Sequence, residues 1–480
     1  MVSQADAAAV RASLPSNPEA ARLYSEGLAK LRVFDDVAAR DLLEKAVALD
    51  PKHALARSAL AAAWGGLGYD AKALEASKTA FALSADLSRE TRLSVEGRYR
   101  AASNDWNRAI EIYRSLFTFY PDNLDYGLQL AGAQTRAGKP HDALATIAAL
   151  RRAFPKDDPR IGLAEAETAK ALSDFPRMEK AAIAAAVLAE GSGARLLAGT
   201  ARMHQAIARR NLGDPKGGET LSQQARDLFQ AAGDRAAVAS ATNGIGNSRY
   251  DQGDLAGARK AFEQVLQIAR ETGNKRVEAG ALDNLASVVG DQGDLVTARK
   301  LADEALALFR EIEDKAGEAE TLNNIGAGLV IAGDLRGARE AFERALPLYR
   351  ETGDQGGLAI ALNNIGELQW GEGDPAAAAK SFEESRAIFQ AQSQKSKAVY
   401  PTTGLATVRA ETGDLAGARA LLAEALPAAR EAHDRHQEAF VLSASGAIDL
   451  ASDRLADARR NFEEALKIRT EIGEQGAAAQ

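Results

Sequence analysis

Cysteine is absent from the 480 residues, which removes disulfides, thiolate metal sites and thiol catalysis together. Aromatic residues are scarce, 5% of a chain that is 46% hydrophobic, so the apolar content suits many thin helix contacts better than one thick core. Histidines number five, His53, His141, His204, His433 and His436. Only the last two are close, in a turn that offers no third ligand, so no metal is expected. Phosphate loops are also missing, because Gly244-Ile245-Gly246 falls inside a helical stretch. Carboxylates are plentiful but lack a strand-loop scaffold that would desolvate a pair. The chain therefore reads as no enzyme, with no catalytic residue and no cofactor. A net charge of -8 argues against nucleic acid or an anionic membrane as partner. Met1 to Ser16 has no apolar core of signal-peptide length, and no later run is long enough to cross a bilayer. A cytoplasmic location is the expectation.

What the chain does have is a period. A Gly-Asp turn recurs at Gly213-Asp214, Gly253-Asp254, Gly293-Asp294, Gly333-Asp334, Gly373-Asp374 and Gly413-Asp414, always 40 residues apart. A second turn, at Gly233-Asp234, Gly273-Asn274, Gly353-Asp354 and their equivalents, keeps the same step. Two turns per 40 residues with helical periodicity between them mean two antiparallel helices per repeat. Small residues recur on the first helix (Gly246, Ala286, Gly326, Gly366, Ala406, Gly446) and on the second (Ala258, Ala298, Ala338, Ala378, Ala418, Ala458). Helices approach closely only where neither carries bulk, so these positions mark the crossing. Phe262, Phe342, Phe382 and Phe462 fill the space one turn further on.

The first half repeats more tightly, Ala39, Ala73, Ala109 and Ala143 standing 34 to 36 residues apart. With Tyr113 and Pro121 after Ala109, this half resembles the tetratricopeptide repeat. The second half resembles the longer form found in kinesin light chains and many bacterial regulators, whose Leu-Asn-Asn-Ile-Gly stands at Leu322-Asn323-Asn324-Ile325-Gly326 and again from Leu362 to Gly366. The resemblance implies an all-α, right-handed superhelical solenoid of antiparallel helix pairs. We divide it into an extension (1–16), a 34-residue-type array (17–158), a degenerate repeat and candidate hinge (159–198), a 40-residue-type array (199–473) and a tail (474–480). Asp174-Phe175-Pro176 is expected to break a helix in the degenerate repeat, and Gly191-Ser192-Gly193 to form a flexible break.

In such arrays the first helices line the concave face. Numbering each 40-residue repeat from Ala239, Ala279, Ala319, Ala359, Val399 and Ala439, positions 2, 6, 9 and 13 point away from the packing face at about 100° per residue. Position 6 supplies Asn284, Asn324 and Asn364, a ladder of amides that matches the donor and acceptor of an extended peptide. The resemblance to kinesin light chains, whose matching asparagines contact bound peptide, points the same way. Asn247 belongs to position 9. Ile331, Ile360, Tyr400 and Phe440 are large apolar groups on the same face, and Asp251, Asp291, Glu320, Glu367 and Glu411 make it acidic, with no lysine or arginine at those positions. The competing reading is structural: the row Asn243, Asp283, Asn323, Asn363 reads as backbone- or neighbour-satisfying, Tyr400 and Phe440 as packing on adjacent repeats, and Trp370 at position 12 as covering the next repeat.

The expected function is a non-catalytic scaffold that holds a peptide or partner segment, neutral to basic with apolar anchors, in the concave groove. Two alternatives stand beside it. The first half also resembles sensor arrays of bacterial kinases and transcriptional regulators, and an open stacking face on the last repeat would make a self-assembling solenoid or a homodimer through the C-terminal end.

Overall fold

Aspartate before a helix and glycine after one set the whole architecture. In the computed structural model, which describes residues 12–32, 36–154, 158–392, 394–432 and 434–472, each of Asp214, Asp254, Asp334, Asp374 and Asp414 is an N-cap. Its carboxylate accepts the backbone N–H three residues on, Asp254 from Gly257 at 2.9 Å and Asp414 from Gly417 at 2.8 Å. Carboxylates there satisfy orphan donors and complement the helix dipole. The glycine before each cap takes the left-handed conformation, φ between 75° and 93° for Gly213, Gly253, Gly293, Gly333, Gly373 and Gly413, which a Cβ would resist. Where the glycine is lost, the turn keeps its shape at a cost: Asp453 and Glu313 each hold φ 57°.

Twenty-four helices and no strand are present among the described residues. They alternate as first and second helices of stacked antiparallel pairs, in two compact units divided between Asp314 and Lys315. In the first unit the helices this account uses are α1 (Pro18–Arg32), α2 (Asp36–Leu49), α3 (Ala54–Gly66), α4 (Asp70–Ala82), α13 (Arg235–Asp251), α14 (Leu255–Thr272), α15 (Lys275–Asp291) and α16 (Leu295–Glu311). The second unit includes α17 (Lys315–Ile331), α18 (Leu335–Thr352), α19 (Gln355–Gly371), α20 (Pro375–Ala391) and α21 (Val399–Glu411). Within each unit the first helices of successive repeats touch one another directly, whereas second helices mainly contact the first helices beside them. First helices therefore form the inner wall of each unit.

The degenerate stretch departs from expectation. Residues 159–198 form an ordinary pair, helices Pro159–Ala171 and Phe175–Gly191, packed on each other and on both neighbours. Asp174-Phe175-Pro176 starts a helix instead of breaking one: Asp174 accepts from Arg177 N at 3.1 Å, and the proline sits in the first turn, where its missing N–H costs nothing. Gly191-Ser192-Gly193 is a standard helix end, Gly193 at φ 70°.

Packing between the two helices of a repeat is size-matched. A Cβ on Gly246 would lie 2.5 Å from the Phe262 ring, on Gly326 2.5 Å from Phe342, and on Gly366 2.8 Å from Phe382. Where the glycine becomes alanine, the facing ring shrinks: Ala206 goes with Ser222, Ala286 with Ala302 and Ala406 with Leu422. Phe262, Phe342 and Phe382 are fully buried, while Phe462 of the last repeat is 40% exposed. The outer face carries the expected ion pairs, Arg259–Glu263 at 3.0 Å and Arg459–Glu463 at 2.7 Å, each solvated and of small energetic weight.

Candidate functional site

Position 6 asparagines bind their neighbours before they bind anything else. Asn284 Nδ2 donates to Asn243 Oδ1 of the preceding repeat at 2.8 Å, and Asn364 Nδ2 donates to Asn323 Oδ1 at 3.0 Å. The spacing is 41 residues, one repeat plus one position, so the companion row at position 5 is the acceptor side of the same ladder. All three position 6 residues, Asn284, Asn324 and Asn364, remain half-exposed. One N–H of Asn284 and one of Asn364 is spent, leaving a second N–H and the carbonyl lone pairs on the wall.

The ladder stops at Gly404. An asparagine cannot follow there, because a Cβ would lie 2.7 Å from the Phe382 ring. Asn363 Oδ1, the acceptor that such an asparagine would have met, is buried with no hydrogen-bond partner, and its Nδ2 instead reaches Glu367 Oε1 at 2.9 Å.

A second ladder, not anticipated from the sequence, uses positions 12 and 13. Arg210 Nε pairs with Asp251 at 2.9 Å, the Tyr250 hydroxyl donates to Asp291, and Trp370 Nε1 donates to Glu411 Oε2 at 2.6 Å. Again the donor precedes the acid by 41 residues. Three carboxylates of the acidic wall are thus engaged by the preceding repeat. The signal was present in the sequence as a donor followed 41 residues later by an acid, and it is legible only once that offset is known. Trp370 does cover the next repeat, through its indole N–H, yet remains 40% exposed.

In the second unit the wall around these ladders is apolar and open. Ile331 is 74% exposed and Ile360 44%, with Val330 at 41% beside them; Val330 was not picked out from the sequence. Tyr400 and Phe440 are half-buried against each other, ring centroids 5.8 Å apart, with the Tyr400 hydroxyl 3.3 Å from His436 Nδ1. Glu320 and Glu367 are exposed on the same face, and Asn247 of the first unit is half-buried.

Loss of hydration in the trough raises the Glu367 carboxyl above its usual range, against the Asn363 donor that lowers it. Burial likewise raises Asp251, opposed by Arg210, and burial followed by its hydrogen bond to Asp291 raises the Tyr250 hydroxyl. A carboxyl whose folded value is raised favours the folded state at low pH, and that contribution is lost as pH climbs through the folded value. Glu367→Gln keeps an acceptor for Asn363 without the charge. We expect it to raise the melting temperature at pH 7 and to leave it unchanged at pH 3, where both side chains are neutral; a lower melting temperature at pH 7 would show that the charge stabilises the wall.

Among the described residues, no three His, Asp or Glu side chains come together as metal ligands, and His433 lies outside those residues. His53 is a buried N-cap, its Nδ1 accepting from Ala56 N at 3.2 Å. No described helix is long and apolar enough to cross a membrane.

Comparison with known proteins agrees with this architecture. The crystal structure of a Rap protein complexed with Competence and Sporulation Factor superposes with a TM-score of 0.52 at 14% identity, over 73% of this chain and 99% of that one. BtubC (BKLC) from P. vanneervenii gives 0.39 at 19% identity over 47% and 92%, and yeast Tom70 gives 0.39 at 14% over 85% and 99%. At 14% identity the likeness to the Rap protein is one of fold. No curated protein sequence matches the chain. Tetratricopeptide repeat patterns match residues 197–271, 277–351, 329–391 and 400–471, and a further one matches 100–168. These matches cover more than half of the chain, which belongs to the tetratricopeptide repeat family.

Proposed function

We propose that the protein is a non-catalytic scaffold whose inner wall holds an extended segment of a partner protein, apolar at one or two side chains and neutral to basic around them. The observation that carries this reading is the wall of the second unit, where Val330, Ile331, Ile360 and Trp370 stand exposed between hydrogen-bonded ladders. Apolar groups left open on a polar wall favour a partner that covers them. Glu320 and Glu367 beside them favour lysine or arginine next to the partner's apolar residue. The second N–H and the carbonyl of Asn364 suit its backbone. The Rap protein of similar fold was crystallised in complex with a factor, which is consistent with a binding role.

Selection from a random peptide library tests the proposed chemistry. Peptides retained by the full chain are expected to carry a large aliphatic or aromatic residue flanked by lysine or arginine, and to be lost with an Ile331→Asp, Ile360→Asp double variant. Enrichment of acidic peptides, or equal retention by the double variant, would sink the reading.

A further inference from the structure

The first unit contains a contact between segments about two hundred residues apart that no repeat rule requires. The 66–70 turn, between α3 and α4, lies against the 273–276 turn that opens α15. Asn274 Nδ2 donates to the Gly66 carbonyl at 3.0 Å, and its Oδ1 accepts from Val277 N at 3.1 Å. Arg276 bonds Asp70 on one side and Asp314 on the other, the latter at 2.8 Å. Tyr69 packs on the cluster of Ala279, Leu282, Phe309 and Ile312. Beside the contact lies a cavity of about 570 Å³, lined by Lys30, Val37, Leu67, Gly233 and Arg235 among others.

Three features set this turn apart from its equivalents. Leu67 is 2% exposed, while Leu172 and Leu212 at the same turn position are only half-buried and the 40-residue repeats carry Gln252, Gln292, Ala332, Glu372, Thr412 and Ser452 there. Gly68 holds φ 81° like the other turn glycines, but a Cβ on it would meet the Arg276 Cβ at 2.6 Å. The other eleven left-handed glycines would meet nothing within 4 Å. Finally, Arg276 heads the stripe that continues through Gly280 to Asn284, residues four apart on one helix face. The docked turn therefore sits at the N-terminal end of the inner stripe of α15.

We propose that the 66–70 turn is an intrachain latch, docking the first repeats of the unit onto the mouth of the α15 stripe and fixing how open that wall stands. The matching surface is the polar cap of α15, Asn274 and Arg276, together with the apolar cluster of Ala279, Leu282, Phe309 and Ile312 that Tyr69 meets. The latch needs no ligand, so its test is separate from that of peptide binding.

Because the chain has no cysteine, spin labels at Lys78→Cys on α4 and Glu304→Cys on α16, both exposed, report on the latch directly. Gly68→Asn is the informative change. Asparagine tolerates the left-handed conformation and already holds it in this chain at Asn104, φ 56°, so the added side chain acts mainly by striking Arg276. Gly138→Asn, at a turn with open space around it, is the control. The wild type and Gly138→Asn should each give one narrow distance distribution, and Gly68→Asn a broader, longer one. Leu67→Gln adds no backbone strain and should also broaden it. An unchanged distribution in Gly68→Asn and Leu67→Gln overturns the latch, as does equal broadening in Gly138→Asn.

Discussion

Phe382→Ala should destabilise the second unit by about 3–5 kcal/mol, the range for truncating a fully buried aromatic side chain. Phe382 is 1% exposed and its ring contacts both Gly366 on α19 and Gly404 on α21. It therefore fastens its own repeat to the next, and the glycines facing it give the surrounding wall no side chain with which to fill the gap. Arrays of stacked repeats unfold in segments when one interface fails. Urea titration followed by hydrogen exchange should accordingly show α19 to α21 opening before the first unit. Phe462→Ala is the contrast. The same residue type in the last repeat is 40% exposed, and its truncation should cost far less. Equal losses at the two sites would mean that the ring and glycine match is not what holds successive repeats together.

Replacing Asn284, Asn324 and Asn364 together by alanine has two expected consequences that must be separated. Removing the bonds to Asn243 and Asn323 costs on the order of 1 kcal/mol each, so the melting transition falls. If the remaining amide groups also contact the partner's backbone, the affinity of a selected peptide falls as well, by about tenfold for each 1.4 kcal/mol lost. Asn243→Ala with Asn323→Ala breaks the same two inter-repeat bonds from the other side and leaves the wall amides in place. We expect this companion variant to lose stability but to keep peptide affinity. Equal loss of affinity in both would assign the ladder to repeat spacing alone.

The two ladders explain how far the sequence could be read. Helices and turns follow from local chemistry, an aspartate cap here and a left-handed glycine there, repeated at a fixed step of 40 residues. Position 6 was read as facing outward, and Asn284 and Asn364 do keep one side open. Their hydrogen bonds to the preceding repeat are not legible in the sequence, because the offset of 41 residues depends on how far one first helix slides past the next. The partners of the acidic row are hidden for the same reason: Asp251, Asp291 and Glu411 meet Arg210, Tyr250 and Trp370 only in three dimensions. Nothing local marks the 66–70 turn as a partner of Asn274, since Leu172 and Leu212 stand at the same turn position elsewhere in the chain.

The inner wall of the second unit is the surface proposed to meet a partner. Calorimetric titration of a selected peptide into the full chain and into the Ile331→Asp, Ile360→Asp variant tests that most directly. Both substitutions place a carboxylate at an exposed position, so the fold should survive and the melting curves should coincide. The account predicts a loss of affinity of at least about tenfold, roughly 1.4 kcal/mol, in the variant. The same affinity in both proteins would place the binding surface elsewhere.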